Sequence, residues 1–201
     1  MKAMYRIVII CALFIVIGVV AVILLSYFSI PKQASVNKES VENESLRLQG
    51  VAMEREFTNE DLANLNNLTK NDPKSHSEFL EIEWFMDHNF SASKHIGHSL
   101  NSLYWIAKQG KWLCPADSFS HVGLFLLSND SDLANDAFND GQETLSEWTT
   151  IARSLHAKNA SYYSNAEDLI SVMNDLVANY NENNFEKVKE DSKKLEEIGY
   201  C

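Results

Sequence analysis

Two regimes of hydrophobic patterning divide the chain. From Ile7 to Ile30 there is no Asp, Glu, Lys, Arg, His, Asn, Gln or Pro. Such a run predicts a membrane-spanning helix, because two dozen residues at about 1.5 Å each cover roughly 36 Å against a hydrocarbon core of about 30 Å. Pro31 closes the run. Lys2 and Arg6 are the only charged side chains before it, so the positive-inside rule places the N-terminus in the cytoplasm, and Tyr5 and Tyr27 fall where amphipathic rings favour the headgroups. The run is longer than the apolar stretch of a cleaved secretory signal, and no A-x-A-like site follows it. The expectation is a single-pass signal anchor in the cell membrane. Residues 1–6 are then cytoplasmic, 7–30 lie in the lipid bilayer, 31–38 form a polar stalk, and 39–201 form an acidic extracytoplasmic domain.

Beyond the stalk, apolar residues recur at i, i+3 and i+4, and no alternating β-branched run bounded by turn signals predicts a strand. The fold class expected is all-α, an antiparallel helical bundle. A first helix is expected from Ser40 to about Phe57. Thr58 with Asp61 resembles a capping box for a short helix carrying Leu62, Leu65 and Leu68. Asp72 can cap the next helix with Pro73 in its first turn, and this long element, with Ile82, Phe85, Met86, Ile96, Leu100 and Leu103 in one stripe, reaches Ala107 before Gly110. Its polar middle, Asn89 to Ser93, predicts either a kink or a break into two helices. A short helix from Asp117 covers Phe119, Val122, Leu126 and Leu127. Ser131 or Asp132 caps a helix through Leu155 that Gly141 weakens locally, Ser164 and Glu167 form a capping box for the following helix, and the last runs from Phe185 to Ile198 with Gly199 at C′.

Charge narrows the function. All 28 acidic residues follow Pro31, against 15 basic ones there, a net of −13 for the exposed part. A nucleic-acid partner is excluded, since binding a polyanion needs clustered Lys and Arg. Asn43, Asn67, Asn89, Asn129 and Asn159 match the N-x-S/T glycan acceptor pattern, although polar helix caps and turns produce the same triplets.

Histidine is the suggestive set. His95 and His98 stand one helical turn apart and are compatible with one metal ion, to which Cys114, His121 or a carboxylate from another helix could add. A copper or zinc ion is the cofactor such a set implies. His88 aligns with His95 but lies two turns, about 10 Å, away. Glu78 with Glu81, and Glu196 with Glu197, read as pairs on an acidic surface. Cys114 and Cys201 are the two thiols of a domain placed in an oxidising compartment, and a disulfide between them is expected. Trp84, Trp105, Trp112 and Trp148 lie at or beside apolar faces and read as packing, with one open to an interface role.

No nucleophile elbow, phosphate loop, HExxH or CxxC is present, so the chain is not expected to be an enzyme. The leading expectation is a membrane-tethered interaction or accessory module that docks on another membrane or envelope protein. A metal-binding helical bundle and a sensor-like ligand-binding domain are the alternatives.

Overall fold

The computed structural model describes residues 31–52, 57–88, 94–161 and 163–199. The anchor segment 7–30 and Cys201 lie outside the described residues. Among those described, no helix is long and apolar enough to cross a membrane.

The described residues form eight α-helices and no strand: α1 Pro31–Ala52, α2 Asn59–Thr69, α3 Pro73–Asp87, α4 His95–Gln109, α5 Pro115–Leu127, α6 Ser131–Lys158, α7 Ala166–Asn181 and α8 Phe185–Ile198. The described residues therefore form an all-helical bundle. Local chemistry explains most of the boundaries. The Thr58 hydroxyl accepts from the Asp61 N–H while the Asp61 carboxylate accepts from the Thr58 N–H, a complete capping box for α2. Asp72 accepts from the Ser75 N–H and Pro73 occupies the first turn of α3. Gly110 ends α4 at φ +84°, where a side chain would be strained.

Three expectations change, and one choice is resolved. α1 begins at Pro31, so the stalk segment is helical. Of the kink and the break expected within 73–107 the structure has the break, with one helix ending at Asp87 and the next beginning at His95. Asp130, one residue before the expected cap, accepts from the Leu133 N–H to start α6. The Ser164–Glu167 box does not form: Asn165 stands at the N-cap of α7 without a side-chain capping hydrogen bond, and the Glu167 carboxylate is taken by the Arg153 guanidinium at 2.9 Å.

Contacts divide the chain into two units that meet between Ser40 and Val41, and the larger, Val41–Cys201, contains the core. There α5 packs on α6, α7 and α8, α3 pairs with α4, and α7 pairs with α8. Ten of the 13 residues of α5 are buried, so its polar members, Asp117, Ser118, Ser120 and His121, enter the core along with Phe119, Val122 and Phe125. Glycine makes two of these approaches possible. A Cβ on Gly123 would stand 2.6 Å from Ser192 Cβ of α8, and one on Gly141 would stand 2.7 Å from the Phe119 ring. Ser192 seals the first crossing, accepting from the Gly123 N–H and donating to the Phe119 carbonyl.

Candidate functional site

Five helices direct ionisable side chains into one region of the core. α3 supplies Glu78 and Glu81, α4 supplies His95 and His98, α5 supplies Asp117 and His121, α6 supplies Asp140 and α8 supplies Glu196. Glu78, Glu81, Asp117 and His121 are each at most 5 % exposed. Taking such groups out of water costs several kcal/mol per ion unless partners compensate, so their partners decide what the cluster is.

His121 is its centre. Its Nδ1 lies 2.9 Å from Glu81 Oε2, its Nε2 lies 3.4 Å from His95 Nδ1 and 3.8 Å from Asp117 Oδ1. His98 Nδ1 approaches the same Asp117 oxygen at 3.5 Å, and the far nitrogen of His95, Nε2, is 3.7 Å from Glu196 Oε1. Ser99 donates to Glu81 and Ser102 donates to Glu78. Trp112 Nε1 donates to Asp117 Oδ2 at 3.2 Å, while Asp117 Oδ1 is buried and accepts no hydrogen bond.

These surroundings spread the titrations apart. Burial, then the charges of Glu81 and Asp140, push the Glu78 carboxyl well above its ordinary range despite the Ser102 hydroxyl. Burial and Glu81 raise Asp140 to about 7. Burial and the neighbouring His121 lower His95 to about 4, so its ring is neutral at physiological pH. For His121 burial also opposes charge, but Glu81 and Asp117 outweigh it and its pKa rises. The cluster can thus hold protons in the core. Among the described residues, however, no three His, Cys, Asp or Glu side chains already stand in a metal-holding arrangement.

His98 connects the cluster to the surface. It lines a groove of about 470 Å³ together with Asn101, Trp105 and Gln109 of α4, Trp112, Leu113 and Cys114 of the α4–α5 connection, and Tyr163. Trp112 belongs to both places, its ring in the groove wall and its N–H on Asp117.

The structure thus brings His95, His98 and His121 of the predicted set together, and separates His88, whose ring stacks on Trp84 at 4.1 Å. Cys114 is disulfide-bonded, and a sulfur so bonded is not a thiolate ligand. The carboxylates are what the sequence reading missed: Glu78 and Glu81 are core residues, not an acidic surface pair. Of the tryptophans, Trp84 and Trp148 are buried packing, whereas Trp105 and Trp112 are half-buried at the groove. No protein-family model, curated protein or solved structure matches the chain.

Proposed function

We propose that the chain is a single-pass membrane protein whose antiparallel helical bundle lies outside the cytoplasm and acts as an interaction module, docking a peptide segment of another membrane or envelope protein in the His98–Trp112 groove. The groove's composition carries this reading. Two half-buried tryptophans and a tyrosine provide the large rigid surfaces that dominate binding energy at interfaces, and the Asn101 and Gln109 carboxamides offer donors and acceptors to a peptide backbone. The net charge of −13 beyond Pro31 selects a basic segment through electrostatic complementarity. Anchoring rests on the uninterrupted apolar run 7–30, and orientation on Lys2 and Arg6.

A photo-crosslinking amino acid placed at Gln109 of the full chain in its own membranes tests the groove, with Lys187 as an exposed control outside it. The expected result is one defined adduct from Gln109, mapping to a basic segment of a membrane or envelope protein, absent from Lys187 and at least about tenfold weaker in Trp105→Ala. The same adducts from both positions, or no effect of Trp105→Ala, overturns the docking. Protease added to spheroplasts should remove the domain, whereas protection until lysis reverses the orientation.

A further inference from the structure

We propose that docking in the groove is gated by a proton: His121 holds it in the core, Asp117 balances its charge, and Trp112, hydrogen-bonded to Asp117, shifts the groove wall when the proton leaves. The proposal rests on the docking reading and adds its regulation.

Proton counting along a buried row of atoms defines the resting state. Glu81 Oε2 lies 2.9 Å from His121 Nδ1, and His121 Nε2 lies 3.4 Å from His95 Nδ1. At the far end His95 Nε2 stands 3.7 Å from Glu196 Oε1, which is buried and accepts no hydrogen bond. Two carboxylates thus close a row of four ring nitrogens with three gaps between acceptor and ring. Two neutral imidazoles bring two N–H groups and leave one gap without a donor, whereas one added proton fills all three and makes one ring cationic. His121 is that ring. Burial opposes its charge, but Glu81 and Asp117 outweigh burial and raise its pKa, while burial and His121 lower His95 to about 4.

Every helix packed around this proton has been counted into the balance. α3 brings Glu81 with Glu78 behind it, α4 brings His95 and His98, α5 brings Asp117, α6 brings Asp140 beside Glu81 and α8 brings Glu196, with Lys94 acting on His95 and Lys74 on Asp140. The buried residues of α7 are apolar. The setting is strongly anionic, which favours the proton on His121.

Asp117 carries the state of the proton to the surface. It is 2 % exposed, and its Oδ2 accepts from Trp112 Nε1 at 3.2 Å. Its Oδ1 accepts no hydrogen bond and stands 3.8 Å from His121 Nε2 and 3.5 Å from His98 Nδ1. A buried carboxylate needs a compensating charge or a full set of donors. When pH rises and His121 becomes neutral, Asp117 keeps its charge and loses the cation, so it turns towards the groove side, where Trp112 and His98 lie, and displaces the indole that it holds. The proton's loss also adds one negative charge, a small change against −13, so the position of the aromatic wall decides the sign. Docking is tight while His121 is protonated and weak once the proton has gone, at pH values above about 6.5, the ordinary histidine value.

Full chain in detergent, labelled with fluorotryptophan, reports the wall by fluorine NMR, with the Trp112 signal assigned through Trp112→Phe and the buried Trp148 as reference. The Trp112 signal should titrate with one inflection above about pH 6.5. Asp117→Asn, which keeps an acceptor for the indole but no charge, and His121→Gln should each abolish that inflection, whereas His98→Gln and His88→Gln should leave it. Helix content by circular dichroism identifies a misfolded variant, and Asp117→Asn decides alone if His121→Gln fails. In membranes, the adduct from a cross-linker at Gln109 should weaken at least about fivefold between about pH 6 and about pH 9 in the wild type, and stay level in Asp117→Asn. A flat Trp112 signal, an inflection that survives Asp117→Asn or disappears in His98→Gln, or an adduct equally strong at both pH values overturns the gate. No adduct at either pH overturns the docking itself, a failure that a titrating Trp112 signal tells apart from failure of the proton coupling.

Discussion

Asp140 shows what a crowded acidic core does to a single residue. Its carboxyl, raised to about 7 by burial and Glu81, is still protonated in the folded chain at pH values where an unfolded Asp has ionised. Between about pH 4 and 7 the folded state therefore binds more protons than the unfolded one, and stability falls as pH rises. Asp140→Asn should accordingly stabilise the protein at pH 8, by about 1 to 2 kcal/mol after discounting for partial exposure, and have little effect at pH 4. Urea unfolding at the two pH values checks this, and an equal effect at both would refute the assignment. Residues of this kind were only half legible. Glu78 and Glu81 lie four residues before Ile82 and Phe85, on the apolar stripe itself, which marked them for burial. What hid the fact is that an acidic surface yields the same i, i+3 pairs, and the groups that repay their desolvation, Ser99, Ser102 and His121, come from other helices. His95 and His98 were readable as a pair, because one turn of helix is local information.

At the scale of the helix, local chemistry and tertiary packing divide the credit. Thr58, Asp72, Gly110 and Gly199 mark ends that short-range hydrogen bonding decides, and they were visible as such. Ser164–Glu167 looked equally good, yet its Glu prefers an arginine on α6, a choice that no local pattern announces. Gly141 read as a weak point in α6 and is instead the recess that admits the Phe119 ring. The α5–α8 crossing makes a sharper claim. Gly123→Ala places a methyl 2.6 Å from Ser192 Cβ and should cost about 1 to 3 kcal/mol by forcing the helices apart. Combined with Ser192→Gly, which removes that carbon, the loss should be smaller than the sum of the two single losses. Strict additivity in thermal or urea unfolding would show that the crossing is not the tight point described.

At the scale of the whole bundle, the end of α8 is tied to the α6–α7 connection. Asn165 donates to the carbonyl of Ile198, two residues along the chain from Tyr163, which shares the groove with Cys114. That places the end of α8 on course for the bonded Cys114, so Cys201 is the expected other half of the disulfide, closing about 88 residues for roughly 4 to 5 kcal/mol in the chain-entropy model. Non-reducing peptide mapping should recover a Cys114–Cys201 cross-link, whereas a bridge from Cys114 to Cys11 would contradict it. The same geometry sets an order of assembly. Synthesis runs from the N-terminus, so α8 is made after α5. Until it arrives, Gly123 and the Phe119 carbonyl lack Ser192, His95 lacks Glu196, and the strip of α5 that Val188 and Leu195 help to bury stays wet. A chain cut short before α8 is thus left with an uncovered central helix whose buried Gly123 N–H and Phe119 carbonyl lack their partner, so the earlier helices should collapse without completing the native packing.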